Sequence, residues 1–378
     1  MNGRMGKGLW TAFGAALWTA LAAGFLALSV VGAEAAATAN DTARYLAGMS
    51  LPESSPLTPL TKQAGWQRHA KRFDSAWAGL EQSQLSKIRT WSGAHIPDRQ
   101  PVLYYMFSGP DFLYADAFFP DASTYILSGL EPVGPVPDVE GLSQRALASE
   151  VGRLQHSLNS VLSFSFFITK KMKHELRGGR LTGTLPILYV FLARAGKTVD
   201  EVSLVTLDDD GKVQPYDAKA RTAAQGAKIV FSGSDGKQRT LYYFSTDVSN
   251  GGFERSGFGA FCAKLGRGDA LLKSASYLMH SGAFTKVRDF VLEHANAVVQ
   301  DDSGIPLRAF ERDAWRLYPF GNYLGPISIF PGRYQRDLSS LYRKEHAGPL
   351  DFGIGYRWRP HRSNLLLAIK GKKTAQRE

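Results

Sequence analysis

Six polar side chains each follow an apolar run of the sequence, at places where they could do chemistry. They are Ser108, Asp111, Glu131, His280, Asp301 and Asp302. The first two follow PVLYYMF, the glutamate follows TYILSGL, the two aspartates follow AVVQ, and the histidine closes the apolar stretch 271–280. Because polar groups that follow buried strands gather in the crevice at the strand ends, we expect these six side chains to share one cavity.

The residue types in this set favour hydrolysis. His280 could act as a general base, oriented by Asp301 or Asp302, and activate either Ser108 or a water molecule. Backbone N–H groups at the start of the helix that follows Asp111 could stabilise an oxyanion. The sequence therefore predicts a hydrolase with a Ser/His/acid cluster at its strand ends.

Two other chemistries use the same acids. Asp111, Glu131, Asp301 and Asp302 could supply a carboxylate pair for glycoside chemistry, or hold a divalent cation through oxygen ligands. Each residue also has an ordinary structural interpretation, such as a helix N-cap for Asp111 or a turn for the two adjacent aspartates. Only convergence of several of them in space favours a function.

Familiar cofactor and metal motifs fail position by position. Gly196-Lys197-Thr198 ends like a phosphate-binding loop, but Phe191 stands where that loop needs glycine. His174-Glu175 starts like a zinc-protease helix, but Gly178 stands at the second ligand position. The single cysteine, Cys262, excludes a disulfide framework and cysteine-based metal sites. The sequence thus names no cofactor, no metal ligand set and no substrate.

Basic residues suggest a second class of function. The chain has 45 Lys and Arg against 34 Asp and Glu, a net charge of +11. Two clusters stand out as candidates for anion binding: Lys170, Lys171, Lys173 and Arg177, and then Arg357, Arg359 and Arg362. We expect anionic envelope polymer or membrane headgroups as partners, and not nucleic acid, which an exported protein rarely meets. Arg308 and its neighbours could bind an acidic substrate.

The N-terminal residues have the pattern of an export signal. Arg4 and Lys7 precede an uncharged run over residues 9–32, and Ala33-Glu34-Ala35 follows it. This order is typical of a secretory signal peptide. The run is also long enough to serve as an uncleaved anchor in the inner membrane. We therefore expect an exported bacterial protein, periplasmic or secreted, or else anchored by residues 1–35.

Periodicity predicts the elements that position these residues. Residues 101–107 and 124–130 are typical of buried strands and flank a short helix over 112–119, which favours parallel pairing. Turns at Asp209-Asp210-Gly211 and Ser234-Asp235-Gly236 predict two antiparallel hairpins. We expect amphipathic or apolar helices over 65–91, 142–162 and 184–195.

These elements define the fold class and the domain organisation. We expect a flexible arm over 36–63, a single mixed α/β domain over 64–370 and a polar tail over 371–378. The sheet should be partly parallel, carry antiparallel hairpins and be flanked by helices. Two functions stay open: an envelope hydrolase, or a non-catalytic envelope protein that binds an anionic polymer or a protein through its basic clusters.

Overall fold

The computed structural model describes residues 36–164, 179–220 and 222–371. The predicted signal peptide or anchor therefore lies outside the described residues, as does the polar tail beyond Gly371. None of the helices in these ranges combines the length and the hydropathy that a bilayer span requires. The mixed α/β class predicted from the sequence is confirmed.

One mixed sheet of ten strands organises the described part of the chain. The strands are β1 Val102–Tyr105, β2 Thr124–Gly129, β3 Thr198–Leu207, β4 Val213–Pro215, β5 Gln225–Ser232, β6 Gln238–Ser245, β7 Gly268–Leu272, β8 Ala295–Gln300, β9 Trp315–Gly321 and β10 Asn364–Lys370. Their order across the sheet is β4-β3-β5-β6-β2-β1-β7-β8-β10-β9.

The middle of the sheet is parallel and both sides are antiparallel. Strands β6, β2, β1, β7 and β8 run in the same direction, and β1 pairs with β2 in parallel, as predicted. Counted among themselves in chain order, these five strands have the arrangement 3-2-1-4-5, the beginning of the doubly wound order. The chain therefore reverses its direction of progress between β1 and β7. Ligands of such sheets bind outside the carboxyl ends of the strands at that point.

Helices cover both faces of the sheet. They are α1 Ala39–Leu46, α2 Thr58–Thr61, α3 Ala64–Leu80, α4 Ser86–His95, α5 Phe112–Phe118, α6 Gln144–Phe164, α7 Leu185–Arg194, α8 Asn250–Arg255, α9 Phe258–Leu265, α10 Thr285–His294 and α11 Arg336–Lys344. Alternate strand residues point to opposite faces, so Leu103 and Tyr105 pack in one core while Val102 and Tyr104 pack in the other. The first core also holds side chains of α1 and α3–α7, and the second holds those of α8–α10.

The segment over 36–63 is part of the folded unit, where we expected a flexible arm. Thr38 caps α1 by accepting a hydrogen bond from the Asp41 backbone N–H, and Ala43, Tyr45 and Leu46 of this helix are buried in the first core. The small and polar residues that favoured a tether instead form a short helix with one apolar side. Burial of that side gives the segment a fixed place.

Two other elements depart from the sequence predictions. The stretch 271–280 contains the end of β7, a loop and a 3-10 turn over Leu278–His280. The run Asn364–Lys370, which we did not predict as a strand, is β10 and pairs antiparallel with both β8 and β9. Both predicted hairpins are confirmed.

Candidate functional site

A cavity of about 590 Å³ opens at the carboxyl ends of the parallel strands. Its walls come from the segments that follow β1, β2, β6 and β7, so it lies at the point where the strand order reverses. Three of the six candidates predicted from the sequence line this cavity: Ser108, Asp111 and Glu131. Its volume falls within the usual range for small-molecule pockets, roughly 300–1,000 Å³.

A buried ion pair joins β1 and β7 at this cavity. Lys273, the first residue after β7, places its Nζ 2.8 Å from Asp111 Oδ2, and both side chains are 2% exposed. The Tyr105 hydroxyl donates to the same Oδ2 at 2.8 Å, and the ammonium lies 3.7 Å from the centre of the Tyr114 ring. Tyr105 ends β1 and Tyr114 lies in the first turn of α5, so these contacts fasten the ion pair to two elements of the fold.

The surroundings stabilise the charge of Asp111 more than that of Lys273. Asp111 is the N-cap of α5, where it accepts the Tyr114 backbone N–H at 3.3 Å, and a carboxylate is stabilised at a helix N-terminus. Burial lowers the pKa of Lys273, although the neighbouring Asp111 opposes that shift. Removing either partner would leave the other charge buried and unpaired, which is strongly destabilising.

Glu131 forms the wall at the end of β2. Its side chain is buried, and the Tyr243 hydroxyl donates to its backbone oxygen at 2.8 Å and lies 3.5 Å from Oε2. Gly129 makes room for it, because a Cβ at that position would collide with the Glu131 carboxylate and lie 2.9 Å from Gly109 Cα. The glycine in TYILSGL is therefore needed for the acid to face the cavity.

Strained backbone surrounds the cavity. Phe107 after β1, and Ser274, Ser276 and Tyr277 after β7, all have φ between 54° and 66°. Each such non-glycine residue costs on the order of 1–3 kcal/mol, and such residues cluster at functional sites. The Ser274 hydroxyl, which lines the cavity, has no hydrogen-bond partner within the described ranges.

Asp301, Asp302 and Ser303 hold the strained loop and do not line the cavity. Asp301 Oδ2 accepts the Ser274 N–H at 3.3 Å, and Ser303 Oγ accepts the Ala275 N–H at 2.8 Å. The Tyr277 hydroxyl donates to Asp302 Oδ2 at 2.5 Å, and Asn364 donates to Oδ1 at 3.0 Å. Burial, and then the neighbouring Asp302 charge, raise the pKa of Asp301. These contacts give the turn a positioning role at the edge of the site.

His280 lies in a different cleft from the other candidates. It lines a smaller space with Arg308 and Arg333, and neither Asp301 nor Asp302 hydrogen-bonds to it in the described structure. Burial, followed by repulsion from the two arginines, lowers the pKa of His280 to about 4. The chain turns away from the sheet after Leu272, so the histidine that ends the apolar stretch does not end the strand.

Ser108 is committed to local hydrogen bonds. Its Oγ lies 2.8 Å from the Gly109 carbonyl oxygen and 3.3 Å from that of Ser128, and it accepts the Ser128 N–H at 3.2 Å. These contacts fasten the turn after β1 to the end of β2. The hydroxyl therefore holds the cavity wall, and no histidine of the described structure is hydrogen-bonded to it.

The predicted basic clusters are only partly described. Lys170, Lys171, Lys173 and Arg177 lie outside the described residues. Arg357 donates to the carbonyl oxygens of Gly325 and Pro326 at 3.0 Å each, which fixes a loop. Arg359 and Arg362 are exposed, and Arg359 lies 5.2 Å from the Trp358 ring centre.

Three residues of the site were not predicted from the sequence. Lys273 directly follows β7, which ends in the apolar residues Ala270, Leu271 and Leu272. A single charge after such an apolar run was the available signal in the sequence. Asp247 follows β6 in the same way and lines the cavity beside Glu131. The orphan hydroxyl of Ser274 had no sequence signal, because it depends on the strained backbone.

In the described ranges, no group of three or more His, Cys, Asp or Glu side chains is placed to hold a metal ion. No protein-family model matches this sequence, and no curated protein or solved structure matches it significantly.

Proposed function

We propose that the cavity binds a ribonucleoside whose base carries an amino group. The observation that carries the proposal is the buried Glu131, which faces the cavity at the end of the strand next to β1. In doubly wound sheets an acidic residue about 20 positions after the first glycine turn accepts hydrogen bonds from ribose hydroxyls. Glu131 stands 22 positions after Gly109, whose φ is 56°.

The chemistry of a carboxylate supports this ligand class. An ionised carboxylate only accepts hydrogen bonds, and its two oxygens match two adjacent hydroxyl donors. Asp247, which follows β6, the next strand outward, is a second acceptor on the same wall. Its oxygens hold the Ser249 N–H and hydroxyl at 2.8 and 2.6 Å, which leaves further lone pairs for a donor such as a base amino group.

The apolar part of the wall suits a flat base. Leu130 and Val248 flank the two acids, and Phe107, Phe284 and Phe330 line the same space. Small-molecule pockets combine such apolar walls with a few polar groups that fix orientation. We therefore assign the base to the side of β6 and the ribose to the end of β2.

The first turn argues against a pyrophosphate-bearing dinucleotide. That class places its phosphates on the N-terminus of the first helix, after a turn with several glycines. Here the turn is Ser108-Gly109-Pro110-Asp111, and the carboxylate of Asp111 already occupies the N-terminus of α5. Lys273 is paired with that carboxylate, so the turn offers no uncompensated positive charge.

Hydrolysis stays a prediction from the sequence, without the imidazole base expected for it. The carboxyl and amino groups that line this cavity and could move a proton are those of Asp111, Glu131, Asp247 and Lys273. Export and binding through the basic clusters also stay predictions.

The test measures binding to the purified protein by isothermal titration calorimetry. The probes are adenosine, 2′-deoxyadenosine, and purine riboside, which is adenosine without its amino group. A hydrogen bond to a charged group contributes about 1.5–3 kcal/mol, so removing the 2′-hydroxyl should weaken binding by about 10- to 150-fold. Removing the amino group should weaken it by a similar factor.

The matched variants are Glu131→Gln and the exposed Glu53→Gln. Only the first should abolish the preference for adenosine over 2′-deoxyadenosine. Comparing three ligands on the unaltered protein keeps the test valid even if Glu131→Gln fails to fold. Undetectable adenosine binding, or equal affinity for all three probes, would refute the proposal.

A further inference from the structure

A second cleft, of about 210 Å³, lies between the 3-10 turn over Leu278–His280 and the start of α11. Arg308, Arg333 and Arg336 line it together with His280. The cleft shares the chain segments around Leu278 and Phe330 with the nucleoside cavity but has its own lining residues.

In the described part of the chain, no carboxylate lies within 4.0 Å of a guanidinium nitrogen of these three arginines. By contrast, Arg194 is paired with Asp74 and Arg239 is paired with Asp235. Like charges brought together without a partner repel one another, and an anion between them relieves that repulsion.

Hydrogen bonds hold the wall of the cleft in place. Gln335 accepts the Leu307 N–H at 3.0 Å and donates to the Asp302 carbonyl oxygen at 2.9 Å, while its own N–H donates to the Tyr323 hydroxyl at 2.9 Å. These three hydrogen bonds fix Gln335, and with it the backbone of its chain neighbours Tyr334 and Arg336. The first turn of α11 also begins here, and its free N–H groups favour an anion.

We propose that this cleft binds phosphate, as the free dianion or as a phosphomonoester. Three arginines and the single carboxylate of Asp337 leave two net positive charges on the lining, which a dianion neutralises. Guanidinium groups bind phosphate oxygens through paired, charge-assisted hydrogen bonds. The imidazole of His280 is held neutral by its surroundings, since burial and Arg333 lower its pKa to about 4, so it adds no further charge.

The site is independent of the nucleoside proposal. Neither Glu131 nor Asp247 lines it, and none of its arginines lines the larger cavity. A failure of phosphate binding would leave the nucleoside site untouched, and the reverse also holds.

In the experiment, inorganic phosphate is titrated into the purified protein at low ionic strength. Binding is measured by calorimetry and by the NMR signals of the His280 ring. Phosphate should shift the His280 signals, while chloride at equal ionic strength should not. Arg333→Gln should weaken phosphate binding by about 10- to 150-fold, the effect of losing one charged hydrogen-bond partner. The control Arg312→Gln removes an exposed arginine that does not line the cleft and should leave the affinity unchanged.

Vesicles distinguish the two sources of a phosphate group. Binding to phosphatidic acid vesicles that is lost in Arg333→Gln would identify a lipid headgroup, and binding of free phosphate alone would identify a soluble ligand. If phosphate binds no better than chloride, or if Arg333→Gln and Arg312→Gln behave alike, the assignment of this cleft is wrong.

Discussion

Replacing Asp111 by Asn tests the buried ion pair at the base of the cavity. Asparagine keeps the shape of the side chain, and its single oxygen can still cap α5. Its NH2 group takes the place of the oxygen that accepts from Tyr105 and Lys273, so the variant loses the negative charge and that acceptor. The Lys273 ammonium would then lie in the protein interior with its counter-ion removed. Breaking a buried pair in this way costs about 3–5 kcal/mol.

The size of the folded unit converts this cost into a melting shift. The described part of this unit begins at Ala36 and ends at Gly371. Unfolding about 340 residues carries an entropy of about 0.7 kcal/mol per kelvin. Dividing the lost free energy of about 3–5 kcal/mol by this entropy predicts that Asp111→Asn lowers Tm by about 4–7 °C at neutral pH. Urea denaturation should give the corresponding loss of unfolding free energy.

The loss of unfolding free energy in Asp111→Asn should become smaller as the pH rises. Burial lowers the pKa of Lys273 in the native protein, and the variant loses the attraction of Asp111 that opposes this shift. A lysine whose folded pKa is below the unfolded value of about 10.4 binds fewer protons when folded. Stability then rises with pH between the two pKa values, by at most about 1.4 kcal/mol per pH unit.

Two further variants complete the test. Glu254→Gln breaks the exposed Glu254–Lys286 pair and should cost less than about 1 kcal/mol. Adding Lys273→Met to Asp111→Asn removes both charges and should restore most of the lost stability. A loss for Asp111→Asn no larger than that of Glu254→Gln, or no recovery in the double variant, would show that the pair does not govern the stability of this site.

Two buried groups yield the remaining predictions. Cys262 is fully buried and burial raises the pKa of its thiol, so a thiol-specific reagent should label it only after unfolding; rapid labelling of the native protein would contradict this. Burial raises the pKa of Asp269 to about 6, so its contribution to stability should be lost as pH rises from about 4 to 6, by up to about 3 kcal/mol. Urea denaturation of Asp269→Asn should lack this part of the pH dependence, and parallel pH curves for the two proteins would refute it.

The local sequence was sufficient to predict half of the site. Ser108, Asp111 and Glu131 lie in a strand–turn–helix–strand unit, and parallel pairing of its two strands brings the following turns to one edge of the sheet. The apolar runs marked these strands, and Pro110 and Pro120 marked the turns. Short-range pattern therefore predicted three residues that line the cavity.

The assignments of Lys273 and His280 depended on where β7 ends. Periodicity joined β7 to the apolar residues beyond it, which placed His280 at the strand end and passed over Lys273. The strand ends at Leu272 because the chain then adopts positive φ at Ser274, Ser276 and Tyr277. Non-glycine residues seldom adopt this conformation on their own, and here contacts from a distant turn impose it.

Long-range pairing explains the other differences. β10 inserts antiparallel between β8 and β9, which requires contacts across more than 40 positions of the chain. The segment over 36–63 looked like a tether because its burial depends on α7, whose Arg194 donates to the Ala47 carbonyl oxygen at 2.8 Å. Neither arrangement follows from the composition of the segment itself.

The most direct test of the nucleoside site is a crystal structure of the protein grown with adenosine. We expect electron density for the ribose within hydrogen-bond distance of Glu131, and for the base between Asp247 and Leu130. Adenosine bound elsewhere on the surface, or a cavity without density at a saturating concentration of adenosine, would contradict it.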